Sequence, residues 1–169
     1  MNSGMQVKGA LRAIFTHSEF WAPGTRHAVV RQPVEWQVDL LRRMNIPATE
    51  AEITWLTPKM GQFLFEPPNV AGWGTHGYWV STATAWGKGR YVDYIGWHDK
   101  VKNRFSWLEV MNRAEAIDFI CEQFGIRNPS TASRKALGDW FDAAKTTQKW
   151  TLKHNGFRIG AMLPEFQAG

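Results

Sequence analysis

The carboxyl group of Glu66 has the clearest potential for acid–base chemistry, because Glu66 lies between Phe65 and Pro67. Burial beside such apolar neighbours would raise the pKa of this carboxyl group. A carboxyl group that keeps its proton near neutral pH serves as a general acid. The alternative, which we favour, is a structural role in which the Glu66 carboxylate accepts hydrogen bonds from backbone amides of its own loop.

The remaining reactive side chains form no recognisable catalytic or metal-binding pattern. The five histidines are scattered, and no pair has the spacing of a zinc-binding helix, although His76 and His98–Asp99 could lie close together in space. The sequence has no G-x-S-x-G turn for a nucleophilic serine. Cys121, the single cysteine, falls on an apolar helical stripe and is interpreted as a core residue. We therefore predict no metal site and no cofactor, and we leave open whether the chain is an enzyme.

Glu66 belongs to a loop rich in aromatic residues, FLFEPPNVAGWGTHGYW (Phe63–Trp79), whose prolines, asparagine and glycines stiffen and shape the backbone. Such a loop could present its rings as a stacking surface for sugar rings or for a partner protein. The candidate binding residues are Phe65, Glu66, Pro67, Pro68, Asn69, Trp73, Tyr78 and Trp79. Alternatively, the bulky apolar residues fold inward and fill the space between helices. This is the role that we favour for Phe63, Phe65, Val70 and Trp73.

A second segment, Trp86–Trp107, combines basic and aromatic residues. Five basic residues face two acidic ones, a local net charge of +3. Basic residues that alternate with rings are typical of surfaces that bind single-stranded nucleic acids. Because no recognised nucleic-acid motif supports this function, a nucleic-acid partner is disfavoured. We interpret residues 87–107 as a solvated basic linker with buried rings.

These segments must be positioned by helices, because apolar residues recur with helical spacing along most of the chain. The first stripe consists of Val7, Ala10, Leu11, Ile14 and Phe15. Pro33 suits the first position of a second helix, which should end at Asn45. A capping box formed by Thr49 and Glu52 predicts a third helix. Proline at Thr57–Pro58 should interrupt that helix and leave a short second piece that ends near Gly61.

Further helix signals follow the aromatic loop. Ser81 or Thr82 is a suitable N-cap, and the pairs Ser106 with Glu109 and Asn112 with Glu115 have capping-box spacing. The later apolar stripes are Ile117, Ile120, Cys121 and Phe124; Leu137, Trp140, Phe141 and Ala144; and Ile159, Met162, Leu163 and Phe166. No alternating strand pattern is evident. We predict an all-α fold, an irregular multi-helix array with a long Pro/Gly/aromatic loop rather than a regular four-helix bundle.

Composition sets broad limits on the function. The chain has 169 residues, of which 44% are hydrophobic, with ten Trp and ten Phe. A domain of this size has little room for so many rings, so the surplus could cover a partner protein or another part of the same protein. The net charge of +5 permits an acidic partner without requiring one. No apolar run is long enough for a membrane span, and the first residues lack the form of a signal peptide.

The segments GQ-x-LFEPPNVAGW (Gly61–Trp73) and W-x-STAT (Trp79–Thr84) together resemble the signature of a large bacterial family, domain of unknown function 1800. The segments VKGALRAIFTHSEFW, QPVEWQVDLLRRM and MLPEFQ are similar to other family segments and occur in the family's order. Two features depart from the family pattern. Residues 74–78 lack the family's proline and Gly-Gly, and residues 87–107 have no counterpart that we can place.

The resemblance carries several expectations. Family members are several hundred residues long, so residues 1–169 are expected to form a single helical region, the C-terminal third of a larger helical protein. Members are often exported and encoded beside a second family, domain of unknown function 1501. This implies a periplasmic or extracellular setting and a protein partner from that second family. The family's activity is not established.

From these observations we predict a helical module with a scaffold or protein-interaction role. One alternative is a glycan-binding or glycan-processing module that uses Trp73, Tyr78, Trp79 and Glu66. A second alternative is polyanion binding through residues 86–107.

Overall fold

The computed structural model describes residues 6–25, 28–147 and 151–168, and within these ranges it confirms the all-α fold. The α-helices are α1 (Val7–Thr16), α2 (Pro33–Met44), α3 (Ile53–Leu56), α4 (Thr82–Gly96), α5 (Asp99–Phe105), α6 (Arg113–Gln123), α7 (Thr131–Thr147), α8 (Leu152–Ala161) and α9 (Pro164–Gln167). Short 3-10 helices occupy Ser18–Trp21, Pro23–Thr25, Ala48–Glu50, Thr57–Met60, His76–Trp79 and Ser106–Glu109. An isolated antiparallel bridge joins Val30 to Ala168.

Helix α2 begins and ends where the sequence predicts. Pro33 occupies the first position, Gln32 and Glu35 form a reciprocal capping box, and the Val34 amide donates to the Gln62 Oε1 (3.0 Å). Asn45 adopts a left-handed conformation with φ of 54° and ends the helix. The inward face of α2 carries Trp36 and Leu40, both fully buried.

The segment after α2 confirms the predicted break at Thr57–Pro58 but not the predicted capping box. Glu52 has a φ of 45° and forms a turn before α3, so its side chain does not cap a helix that begins at Thr49. The Thr57 hydroxyl donates to the Ile53 carbonyl oxygen (2.6 Å), and the chain restarts as the 3-10 helix Thr57–Met60. This helix ends at Gly61, as predicted.

The predicted linker over 87–107 is wrong, because these residues continue α4 and form α5 and the 3-10 helix Ser106–Glu109. Ser81 caps α4 by accepting a hydrogen bond from the Thr84 amide (3.1 Å). Gly87, which by propensity weakens a helix, permits close packing: a Cβ atom there would lie 2.5 Å from the Lys59 carbonyl oxygen. The helix propensity of glycine is therefore outweighed by a tertiary contact.

The C-terminal half forms the larger part of the core. Asn112 and Glu115 form the predicted capping box of α6, whereas Ser106 donates to the Asn103 carbonyl oxygen instead of capping a helix with Glu109. Helix α8 lies centrally and packs against α4, α5, α6 and α7. Among the described residues, eight aromatic side chains are buried: Trp36, Trp79, Tyr91, Phe105, Phe124, Phe141, Phe157 and Phe166.

Helix α1 contrasts with this core, because none of its residues is buried. Its predicted apolar stripe exists, yet Leu11, Ile14 and Phe15 are all exposed. The helix packs mainly on the 3-10 helix Ser18–Trp21 that follows it, where the Trp21 Nε1 donates to the Phe15 carbonyl oxygen (2.7 Å). Among the described helices, α1 included, none combines the length and apolar character needed to cross a membrane.

Candidate functional site

The aromatic loop lies on the surface, and the prediction that Phe63, Phe65 and Val70 fold inward is wrong. Phe65 is 92% exposed and has a left-handed φ of 64°. The hydrogen bonds of the loop are local: the Asn69 side chain accepts from the Ala71 amide (2.8 Å), and the Gly72 amide donates to the Asn69 carbonyl oxygen (3.0 Å). Such short turns keep the loop compact without placing its apolar side chains between the helices.

The side chain of Glu66 is exposed, together with those of Pro67, Pro68 and Asn69. The burial on which the general-acid interpretation depended is therefore absent. The favoured alternative is also not formed, because no amide among the described residues donates to the Glu66 carboxylate. Glu66 is thus a solvated carboxylate at the edge of the loop.

The end of the loop is anchored by Trp79, the one candidate binding residue of the loop that is buried. The Trp79 Nε1 donates to the Gly74 carbonyl oxygen (2.7 Å), and this bond closes the last turn of the loop. The Tyr78 ring packs edge-on against Trp79, with centroids 4.8 Å apart, and remains exposed. Trp73 is half-buried. Of the three rings predicted to stack on a ligand, Tyr78 is thus the most accessible, and Trp79 has a structural role.

Trp79 also forms one wall of a groove of about 700 Å³ between the start of α4 and the C-terminal residues, here termed the Lys88 groove. Its lining residues are Val30, Trp79, Val80, Ser81, Thr82, Thr84, Ala85, Lys88, Met162, Pro164, Gln167 and Ala168. Lys88 is only 3% exposed, and its Nζ donates to the Gln167 Oε1 (2.6 Å). Burial lowers the pKa of Lys88 to about 8, and the positive charge of Arg31 adds to this effect.

A second groove, of about 300 Å³, lies along a different face of α4 and is here termed the tryptophan groove. Its lining residues are Trp55, Leu56, Lys59, Trp86, Arg90, Asp93, Tyr94 and Trp97. The three tryptophans are 60%, 60% and 56% exposed in chain order. The Lys59 Nζ lies 4.0 Å from the ring centroid of Trp55. The groove is thus an open aromatic surface with charged groups at its edge.

Asp93 connects the tryptophan groove to a buried histidine. Its Oδ1 lies 2.8 Å from the Arg158 Nε and 3.7 Å from the Nε2 of His154. Burial lowers the pKa of His154, and the charge of Arg158 has the same effect, whereas Asp93 opposes it. The lowered pKa favours the neutral form of His154.

The predicted basic surface over 86–107 is largely occupied by internal contacts. Lys100 donates to the Asn45 carbonyl oxygen (2.7 Å), Lys102 pairs with Asp99 (2.7 Å), and Arg104 donates to the Arg43 carbonyl oxygen. Because Lys88 is buried, few cations of this segment are free for phosphate groups. The geometry therefore does not favour the polyanion alternative, which stays an untested prediction.

The histidines do not assemble a metal site among the described residues, where no group of three or more His, Cys, Asp or Glu side chains could hold an ion. His98 instead pairs with Glu50 (2.9 Å between Nε2 and Oε2), and its Nδ1 accepts from the Lys100 amide (3.2 Å). His76 lies in the exposed loop with a φ of 48°.

Comparison with known protein families identifies the family of the chain. Residues 1–168 match the model of a family described as Protein of unknown function (DUF1800). The chain belongs to the DUF1800 family. No curated protein and no solved structure matches it. The family assignment predicted from the motif around Glu66 and Trp73 is thus confirmed, and the DUF1800 match extends across residues 87–107, for which the sequence pattern offered no counterpart.

Both grooves of this DUF1800 chain were missed by reasoning from sequence, although a signal for each exists. Thr84, Ala85 and Lys88 lie on one face of α4, whereas Trp86 and Trp97 follow a different face with helical spacing. Because residues 87–107 were interpreted as a linker, neither face of α4 was predicted. Once α4 is continued to Gly96, the alternation of basic and aromatic residues becomes two separate surfaces.

Proposed function

We propose that the chain is a protein-interaction module that presents α1 and the adjoining 3-10 helix Ser18–Trp21 to an apolar groove of a partner protein. One observation carries this proposal: α1 is an amphipathic helix with no buried residue. Most amphipathic helices of globular proteins bury their apolar stripe against the core. An exposed stripe of this kind is typical of an interaction site.

The rings at the end of α1 support the proposal because they are already held in place. The rings of Phe15 and Phe20 pack edge to face with centroids 5.1 Å apart, and the Phe20 and Trp21 centroids are also 5.1 Å apart. Leu11 and Ile14, both exposed, lie on the same apolar stripe of α1 as Phe15. A partner that binds this surface therefore loses less conformational entropy than one that must first order the rings.

The charge of α1 indicates what kind of groove would receive it. The helix carries Lys8 and Arg12 and no acidic residue. Helices that dock in grooves use apolar anchors at positions i, i+3, i+4 and i+7, and residues beside the anchors contact the rim. Charge complementarity then favours a partner with an acidic rim.

Site-specific photo-crosslinking in the source organism tests this proposal. A photoreactive phenylalanine analogue at Leu11 should give one discrete adduct with a different protein. The same analogue at Thr16, on the opposite side of α1, serves as the control. Phe15→Glu should abolish the adduct, and binding of the purified partner should weaken as salt is raised. Equal adducts at Leu11 and Thr16, or an adduct between two copies of this chain, would contradict the proposal.

The setting expected from the resemblance, an exported protein with a partner from the domain of unknown function 1501, stays a prediction. The same crosslinking experiment examines it, because mass spectrometry of the adduct identifies the partner.

A second candidate function is glycan binding, carried by the tryptophan groove rather than by the predicted loop. Exposed Trp55, Trp86 and Trp97 offer ring faces to the apolar faces of sugar rings, and Asp93 and Arg90 offer hydrogen-bond partners for hydroxyl groups. Ligand sites combine apolar or aromatic walls with a few polar groups in this manner.

Titration with a cello- or chito-oligosaccharide, followed by tryptophan fluorescence, tests glycan binding. Trp86→Ala should weaken binding at least tenfold. Trp107→Ala, which removes an exposed tryptophan outside the groove, should leave binding unchanged. If Tyr78→Ala weakens binding and Trp86→Ala does not, the ligand binds the loop instead. No response at millimolar oligosaccharide would exclude this candidate for these sugars.

A further inference from the structure

We propose that the Lys88 groove binds a medium-chain monocarboxylate, with the acyl chain along the apolar walls and the carboxylate at the Lys88 ammonium. This ligand site is separate from the exposed face of α1, so the proposed ligand and the proposed protein-interaction function can be tested independently. It also uses a different face of α4 from the tryptophan groove.

The groove contains a buried positive charge, that of the Lys88 ammonium group. Lys88 is buried and has no acidic partner within ion-pair distance among the described residues; its one hydrogen bond goes to the neutral amide of Gln167. The Lys88 Nζ also lies 5.2 Å from the ring centroid of Trp36, and beyond these two contacts its three N–H donors leave one for a ligand. Arg31, whose positive charge acts on Lys88, is bonded to Asp39 (2.7 Å), and Asp39 is also bonded to Arg43 (2.9 Å). A buried cation in this condition is stabilised by an anion that approaches it.

The walls of the groove favour an apolar ligand. Most of the lining is apolar, from the side chains of Val30, Trp79, Val80, Ala85, Met162 and Pro164. The volume of about 700 Å³ falls within the range of sites for small organic ligands. A ligand that suits both the apolar walls and the Lys88 ammonium group has a long apolar part and one negatively charged end.

The number of charges selects a monoanion over a phosphate ester. A phosphate monoester carries nearly two negative charges near neutral pH, and its transfer out of water requires several donors or cations. The groove supplies one buried ammonium. Thr82 also lines it, near the N-terminal end of α4, where the helix dipole favours negative charge, whereas the hydroxyl of the neighbouring Ser81 is bonded to Thr84. A single carboxylate matches this set of groups.

The position of Gln167 explains how a carboxylate would be received. Its Nε2 donates to the Ala161 carbonyl oxygen (2.8 Å), so the amide is fixed with its Oε1 towards Lys88. A ligand oxygen would therefore join Gln167 as a second acceptor of the ammonium group. The lowered pKa of Lys88 adds a pH dependence, because only the protonated amine attracts a carboxylate.

Isothermal titration calorimetry of the whole chain with octanoate, decanoate and decanol at pH 7 tests this inference. Decanoate should bind more tightly than octanoate, by about fourfold for each added CH₂ group. Decanoate should also bind at least tenfold more tightly than decanol, and this preference should diminish as the pH rises above 8. Equal affinity for decanoate and decanol at pH 7 would overturn the proposal, because the ammonium would then have no role.

Two variants locate the site. Lys88→Met, which removes the charge and keeps the length of the side chain, should lose at least tenfold in decanoate affinity and leave decanol affinity unchanged. Ala85→Phe should block the groove for both ligands, whereas Ala83→Phe, on an exposed residue outside the groove, should not. If Lys88→Met fails to fold, the comparison of Ala85→Phe with Ala83→Phe still tests whether decanoate occupies the Lys88 groove. Wild-type decanoate binding by folded Lys88→Met or Ala85→Phe would overturn the proposal.

Discussion

A lysine ammonium that is buried without an acidic neighbour makes folding stability depend on pH, and Lys88 has this environment. The unfolded chain keeps the Lys88 proton up to the ordinary pKa of 10.5, whereas the folded chain releases it near pH 8. Between these values the unfolded state binds more protons, so the contribution of Lys88 to stability rises with pH. Below pH 8 Lys88 is charged in the folded chain, so burial of this charge lowers the free energy of unfolding by its full amount.

We predict that Lys88→Met is more stable than the wild type at pH 7, by on the order of 3 kcal/mol. The difference should shrink progressively between pH 8 and pH 9.5. Burial raises the pKa of Tyr91, which opposes the trend near pH 10, so the comparison is best confined below that value. Urea unfolding at pH 7, 8, 9 and 9.5 provides the measurement. A difference that stays constant over this range would show that Lys88 does not titrate differently in the folded state.

For single residues of the aromatic loop, residue type predicts some features of the structure and not others. The type of Asn69 correctly indicates a turn, because its side chain bonds to a backbone amide two residues later. The types of Phe65 and Glu66 do not reveal their exposure. The exposure of these side chains depends on whether the packed helices leave a space for them. Met60 before the loop and Trp79 at its end are buried, whereas Phe65 and Glu66 are not.

The helices differ in how far local sequence determines them. Helix α2 was predicted closely because Pro33, Glu35 and Asn45 act within one turn of its ends. For α4, the sequence predicts a helix through Ala85 and Trp86 that Gly87 and Gly89 weaken, because glycine has low helix propensity. The reason for glycine at Gly87 is the carbonyl group of Lys59, which lies 28 residues earlier in the chain and cannot be located from the local sequence.

The two glycines of α4 give a matched test of this explanation. Gly87→Ala should destabilise the fold by about 1–3 kcal/mol, because its Cβ would lie 2.5 Å from the Lys59 carbonyl oxygen. Gly89→Ala should stabilise the fold by about 0.5–1 kcal/mol, because no atom lies within 4 Å of the added carbon. Thermal unfolding followed by circular dichroism compares the two variants. Similar effects of both substitutions would refute the close packing of α4 on the 3-10 helix Thr57–Met60.

For the whole molecule, the aromatic residues divide between the core and the surface. Among the described residues, Trp36 and Trp79 are buried, whereas the tryptophans that are more than half exposed are Trp21, Trp55, Trp86, Trp97 and Trp107. Composition correctly indicated more rings than a small domain would bury, but it could not assign them. Which ring is buried depends on the packing of distant helices, as for Trp36 between α2 and the C-terminal residues.

The exposure of α1 predicts that its apolar residues contribute little to the stability of the isolated chain. The double substitution Leu11→Glu with Ile14→Glu should change the free energy of unfolding by less than about 0.5 kcal/mol, as is usual for surface positions. Leu40→Ala, at a fully buried position of α2, should cost about 2–5 kcal/mol. Chemical denaturation of both variants provides the comparison. A large loss of stability in the α1 variant would mean that its stripe packs on the body of the protein.

The contact between α2 and the C-terminal residues also bears on how the chain is made. The Trp36 Nε1 donates to the Ala161 carbonyl oxygen, 125 residues later, and Val30 bridges to Ala168. At the usual speed of translation, the ribosome needs roughly ten seconds to add the intervening residues. During that time the apolar face of α2 has left the ribosome without its partners. The nascent chain therefore exposes a binding site for chaperones until α8 and α9 emerge, and the core closes only after their synthesis.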